Sequence, residues 1–190
     1  MRNVKLQMQM TLDGFVAGPN GEMDWLVWNW DDELKAYVGA ITESIDCILL
    51  GRNLAQGFIP AWASRAEESN PEEGEFAQKM TDLPKVVFSN SLDKPAWENV
   101  TLAGGDLVEE VNRLKQQPGN DLMLYGGASL VASCIRHNLI DEYNLFVNPV
   151  ILGKGMPIFN GLDGRLKLKL VHSQPFSCGI VAVRYEPDRS

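Results

Sequence analysis

A chain of 190 residues, 45% apolar and 22% charged, reads as one globular domain able to bury a sizeable core. The formal net charge of -8 argues against a general binder of nucleic acid, because a phosphate polymer is repelled. A small phosphorylated ligand stays open, since a local pocket can be positive while the whole is not.

The first residues, Met1-Arg2-Asn3-Val4-Lys5, lead straight into a strand and form neither a signal peptide nor a membrane span, so a cytoplasmic protein is expected. In Val4 to Met10, Val4, Leu6, Met8 and Met10 alternate with Lys5, Gln7 and Gln9, which is a strand signal. A turn-rich loop follows from Asp13 to Gly21. Asp31 to Ser44 has helical spacing at Leu34, Tyr37, Val38 and Ile41. Asp46 to Leu50 is a continuously apolar strand that suits the middle of a sheet covered on both faces.

Arg52 to Met80 is acidic and contains Pro60, Pro71 and Gly74. It reads as a solvated loop with one short helix, or else as a lid near a substrate with Phe58 and Trp62 facing inward. Lys85 to Phe88 and Asn99 to Leu102 are short strands. Gly105 to Gln116 is an amphipathic helix, and Asp106 followed by Glu109 resembles a capping box. Asp121 to Tyr125 is a strand, Ala128 to Arg136 a helix, and Asp141 to Val150 a long strand. Leu166 to Ser173 and Gly179 to Tyr185 form a closing antiparallel pair. Strands alternate with helices before that pair. The expectation is therefore a mostly parallel sheet with helices on both faces and an antiparallel edge, in one domain over 1–190.

Cys47, Cys134 and Cys178 are odd in number, far apart and set among apolar residues, so they read as reduced core residues and not as a disulfide or zinc framework. His137 and His172 have no acidic or cysteine neighbours at ligand spacing, and no metal is expected. No credible Ser/His/Asp set is present.

Three strand ends carry polar residues or glycine. Leu50-Gly51-Arg52-Asn53 offers close backbone approach and a guanidinium fork for phosphate. Ser89-Asn90-Ser91 offers hydroxyl and amide groups. Tyr125-Gly126-Gly127-Ala128-Ser129 offers backbone amides where a helix begins. On an open α/β sheet all three fall at carboxyl ends of parallel strands, where ligands bind. Asp13 is either a turn residue or a carboxylate at the mouth of a cleft. Asp31, Asp32 and Glu33 open a helix, where acids suit the dipole, although a carboxylate there also reaches toward a pterin-like ring.

Met10-Thr11-Leu12-Asp13-Gly14-Phe15-Val16-Ala17-Gly18, Tyr125 to Leu130, Leu139 to Tyr143 and Pro149 to Phe159 resemble, in order, segments of the reductase domain of bifunctional riboflavin-biosynthesis deaminase–reductases. Leu50-Gly51-Arg52-Asn53 is similar to the cofactor turn of dihydrofolate reductases in the same wider family, and Trp25 falls where those enzymes carry a loop tryptophan. The resemblance implies a dihydrofolate-reductase-like three-layer fold, NADPH as hydride donor and often a homodimer. It implies cofactor contacts at Ala17, Gly51, Arg52, Asn53, Ser89, Asn90, Ser91 and Gly104. The turn residues Tyr125, Gly126, Gly127, Ala128, Ser129 and Leu130 would join them. Thr11, Trp25, Phe58 and Trp62 would border the substrate, with Asp13 and Glu33 as the catalytic carboxylates. The Gly153 to Phe159 segment would support the site or a dimer contact.

The zinc-binding His/Cys pattern of the deaminase half does not occur in this sequence, so only reductase chemistry is expected, and no helix carboxylate matches cleanly the one that dihydrofolate reductases use. The leading expectation is hydride transfer from NADPH to a small carbonyl or imine. The alternatives are pterin reduction and a nucleotide-binding protein without catalysis.

Overall fold

The computed structural model describes residues 1–67 and 71–189. Its first strand, β1 (Val4–Thr11), lies near the middle of an eight-stranded sheet rather than at an edge. The chain continues through β2 (Phe15–Ala17), α1 (Asp32–Glu43), β3 (Ile45–Gly51), α2 (Arg52–Glu67), α3 (Pro71–Asp82), β4 (Lys85–Phe88) and β5 (Val100–Ala103). It then forms α4 (Leu107–Gln116), β6 (Asp121–Gly126), α5 (Ala128–Arg136), β7 (Glu142–Asn148), β8 (Met156–Pro157), β9 (Leu168–Pro175) and β10 (Val181–Pro187). The strand order is β5-β4-β3-β6-β1-β7-β10-β9. The pairs from β5 to β7 are parallel, and β7–β10 and β10–β9 are antiparallel. The short strands β2 and β8 pair separately.

Both faces of the sheet are covered, as the apolar run in β3 requires. On one face Val4, Leu6, Met8 and Met10 meet Val111 and Leu114 of α4 and Val131, Cys134 and Ile135 of α5. On the other, α2 and α3 cover Ile48, Leu50 and Val87, while α1 sets Leu34 and Val38 against Phe146 and Ala182. Thus the alternation in β1 does not mark a wet face: Gln7 is buried too.

Side-chain caps fix two helix starts. Asp31 accepts from the Leu34 amide at 2.8 Å, and Asp106 from the Glu109 amide at 2.9 Å. Cys47 and Cys134 are buried, Cys178 is only half-buried, and all are free thiols. Burial pushes the Cys134 thiol up to about 12, so it is inert at neutral pH.

The largest departure from the sequence reading is Arg52 to Met80, which holds two helices and not a loop with one short helix. Residues 68–70 of that segment lie outside the described residues. Pro71 stands at the first position of α3, where its missing N–H costs nothing. Pro60 is carried inside α2. The compensating signal is apolar spacing: Ala55, Phe58, Ile59 and Trp62 in α2, and Phe76, Ala77 and Met80 in α3, pack against β3 and β4 or each other. At the other end, β7 stops at Asn148, and the closing strands each begin two residues later than their sequence pattern suggests, at Leu168 and Val181.

Candidate functional site

The carboxyl ends of β3, β4, β5 and β6 open into a cleft of about 820 Å³. Helices α2, α4 and α5 begin there, with Arg52, Asn53 and Leu54, then Asp106 and Leu107, then Ala128, Ser129 and Leu130 along its wall. Their starts are not equivalent. Asp106 puts a carboxylate on the first turn of α4. The cap of α5 is Gly127, which supplies no side-chain bond, so that helix leaves its first backbone amides free. Free amides at a helix start favour an anion.

Glycine makes this corner possible. A Cβ on Gly51 would stand 3.1 Å from the Gly127 nitrogen, so a side chain there would press the end of β3 away from the turn after β6. Gly126 holds φ at +127°, a backbone region open essentially to glycine alone. The peptide bond between Gly126 and Gly127 is cis.

The polar turn after β4 is internally braced. Ser89 Oγ accepts from the amides of Ser91 and Leu92 at 3.2 and 3.1 Å, and Asn90 Oδ1 accepts from the Gly105 amide at 3.3 Å. Ser91 is left to meet Arg52, whose Nη1 donates to Ser91 Oγ at 2.7 Å. Arg52 is exposed and forms no ion pair among the described residues. A guanidinium and a hydroxyl side by side at the rim form a ready donor pair for phosphate.

Of the residues expected to touch a cofactor, Ala17, Gly51, Arg52, Asn53, Ser89, Asn90, Ser91, Gly104, Tyr125, Gly127, Ala128, Ser129 and Leu130 all line this cleft. Gly126 lies between lining residues in the chain without lining it itself. The facing wall was not anticipated: Met8, Val16, Met23 and Met156, with Asn20 and Gly21 at the rim. Asn20-Gly21 is a turn pair, the one signal in the sequence that marked it. Ser133, one turn beyond Ser129 on α5, also lines the cleft.

The residues expected around the substrate are placed differently. Thr11 is buried; its hydroxyl donates to Asp13 at 2.7 Å and accepts from the Phe15 amide at 2.9 Å. Asp13 also accepts from the amides of Gly153 at 2.7 Å and Leu152 at 3.3 Å. The Thr11 hydroxyl and those amides hold its carboxyl below the ordinary carboxylate range. Asp13 therefore ties the turn after β1 to the loop before β8 and does not line the cleft. Trp25 donates its indole N–H to the Glu22 carbonyl at 3.2 Å. Phe58 packs tilted against Tyr125 and edge-to-face against Trp62, with ring centres 5.2 and 6.1 Å apart, so both rings sit behind the wall that Tyr125 presents. Glu33 is held by the Gln174 amide at 2.7 Å, on the α1 side of the sheet. Among the described residues no group of His, Cys, Asp and Glu comes together as a metal site, and no helix is long and apolar enough to cross a membrane.

The profile of the RibD C-terminal domain matches residues 2–182. The chain belongs to the RibD C-terminal domain family. A relative of this RibD C-terminal domain, the protein YyaP of Bacillus subtilis (strain 168), is 37% identical over 190 residues, covering 97% of this chain and 94% of YyaP. Among solved structures, a Shewanella sp. PV-4 protein described as belonging to riboflavin biosynthesis superposes over 100% of both chains with a TM-score of 0.75 at 23% identity. The Thermotoga maritima deaminase/5-amino-6-(5-phosphoribosylamino)uracil reductase gives 0.69 at 22% identity, over 98% of this chain and 57% of that one. This chain thus spans little more than half of that two-activity protein. Enterococcus faecalis dihydrofolate reductase, solved with NADP(H), gives 0.64 at 16% identity over 98% of this chain and 96% of that one. These likenesses establish a dihydrofolate-reductase-like fold: a mostly parallel sheet between helical layers, with an antiparallel edge at β7, β10 and β9.

Proposed function

We propose that this RibD C-terminal domain is an NADPH-dependent reductase of the riboflavin-biosynthesis type that passes hydride to a small carbonyl or imine substrate. The observation that carries the reading is the Arg52–Ser91 pair at the rim of a cleft whose floor is the uncapped start of α5. The donor set fits a dinucleotide with a pyrophosphate and one further phosphate. The amides of Ala128 to Leu130 would hold the pyrophosphate, and Arg52 with Ser91 would hold the phosphate that distinguishes NADPH from NADH. When bound, NADPH supplies the hydride.

The chain's own part is to bind, orient and keep water away. Met8, Val16, Met23 and Met156 give the wall facing the helix starts an apolar surface, which excludes water from the reacting end. Asp13 secures that wall indirectly, through the loop that leads into β8. Glu33 is engaged by Gln174, so nothing in its placement favours the pterin-reducing alternative. A homodimer in the cytoplasm belongs to the same reading.

The test is a thermal-shift titration with NADPH and NADH on the parent and on Arg52→Gln. Binding to the folded state raises the melting temperature by mass action. NADPH is expected to protect the parent far more than NADH. In Arg52→Gln its affinity falls about tenfold to a hundredfold, the scale of a lost charge-assisted phosphate contact, while NADH is unaffected. Equal protection of the parent by both cofactors removes Arg52 from this role. No protection by either favours a nucleotide-binding protein of another specificity.

A further inference from the structure

The sheet face beneath α1 is not apolar throughout. At one end Leu34 and Val38 rest on Phe146 and Ala182. Two residues along each strand, the register brings four polar side chains into one row. Gln7 on β1 pairs with Asn144 on β7, Asn144 with Arg184 on β10, and Arg184 with His172 on β9. The next row holds Lys5 opposite Glu142. A sheet face covered by a helix is ordinarily apolar, so this row calls for a reason.

Two atoms in it have no partner. Asn144 is 1% exposed and its Oδ1 accepts nothing, while the Arg184 Nε, equally inaccessible, donates to nothing. Among the described residues Arg184 also has no carboxylate at ion-pair distance. A cleft of about 340 Å³ opens here, lined by Lys5, Tyr37, Ile41, Glu142, His172 and Arg184. Its other charges are committed. Lys5 donates to Ser44 at 2.8 Å and pairs with Asp121 at 3.0 Å, and Glu142 accepts the Asn144 amide at 2.9 Å. Tyr37 and His172 lie stacked, ring centres 5.7 Å apart and planes 18° from parallel.

We infer that this cleft is a second binding site, for a small planar organic carboxylate. The free guanidinium matches a carboxylate through two parallel hydrogen bonds, which a point charge does not. The ring of Tyr37 and the side chain of Ile41 give a flat body apolar contact. Lys5 is neutralised by Asp121 and the Glu142 carboxylate stays in the lining, so one guanidinium suits a monoanion better than a multiply charged phosphate. It shares no lining residue with the cleft at the ends of β3 to β6, and the inference therefore stands apart from the reductase reading.

Isothermal titration of the full chain with benzoate tests it, with acetate and inorganic phosphate in parallel and with NADPH present or absent. Benzoate is expected to bind once per chain, more tightly than acetate or phosphate, and equally well beside saturating NADPH. Arg184→Met weakens it about tenfold or more, the scale of one lost charge-assisted pair, and Arg184→Lys, which keeps the charge but not the fork, falls between. If Arg184→Met fails to fold, Tyr37→Leu is the second variant, with weaker benzoate binding expected and acetate unchanged. Absence of benzoate binding, equal binding of phosphate, or indifference to every variant overturns the proposal. Displacement of benzoate by NADPH does so too, because it puts the probe in the other cleft.

Discussion

The two walls of the large cleft are made of different material. The wall on β3 to β6 offers glycines, short polar side chains, one arginine and the amides of helix starts, set among Leu54, Phe88, Leu107 and Leu130. The lining from β1, β2 and β8 is methionine and valine, while the rings of Phe58 and Trp62 stand behind Tyr125 of the first wall. Backbone groups can be relocated only by moving strands, whereas side chains repack. The first wall therefore commits the fold to a class of ligand, and the second decides what fits beside it.

If that contrast is right, the backbone wall should fail completely when it is filled. Gly51→Val places a branched side chain where even a single Cβ is 3.1 Å from the Gly127 nitrogen. NADPH affinity should fall about a hundredfold or more, together with a lower denaturation midpoint, because β3 and β6 must part to admit the methyl groups. Fluorescence titration and urea unfolding measure the two effects. Retained affinity would mean that the corner is looser than the glycines suggest.

The aromatic backing should behave in the opposite way. Phe58 is half-buried between Tyr125 and Trp62, and truncating it to alanine removes packing without touching a backbone donor. Phe58→Ala should cost about 2 kcal/mol of stability, less than a fully buried aromatic truncation because the ring is half-buried, and leave NADPH affinity unchanged. A loss of affinity in step with stability would erase the distinction between backbone donors and the side chains packed behind them.

The same contrast explains what could be read from sequence. Glycines, serines and an arginine at strand ends carry their meaning locally, since a turn and a helix start are decided by a few neighbouring residues. That the strand ends from Gly51 to Leu130 line one cleft was therefore legible, and so was the order of strands and helices around it. The facing wall is assembled across long separations. Met8 and Met156 lie in strands whose sequence neighbours say nothing of each other, and methionine in an alternating strand looks like ordinary core. Arg52 to Met80 misled for a related reason. Its acidic residues and prolines are local loop signals, but the apolar spacing of Ala55, Phe58, Ile59 and Trp62 gains value only once β3 and β4 are there to be covered. Asp13 sits between these cases. Its turn role was visible in Asp13-Gly14, while its bonds to Leu152 and Gly153 depend on a loop more than a hundred residues away.

Asp13 also gives the smallest and most specific test. The Thr11 hydroxyl, followed by the Gly153 and Leu152 amides, favours its ionised form and holds the folded-state pKa below the ordinary 3.8. A group whose pKa is depressed on folding contributes stability above its unfolded pKa, and that contribution is lost as pH falls through the folded value. The window therefore opens below about pH 4. Asp31, Glu22 and Glu110, also depressed by their hydrogen-bond partners, share it. Asp13→Asn should flatten the decline in stability below that pH without abolishing it. The amide also turns a donor toward the Leu152 or Gly153 N–H, which loosens the loop ahead of β8 and should weaken NADPH only slightly, because the wall it steadies is the one that repacks. Acid unfolding followed by circular dichroism reads the slope. An unchanged slope would show that this carboxylate ionises no more readily in the folded chain than in the unfolded one, and that the loop is held by its backbone pairing instead.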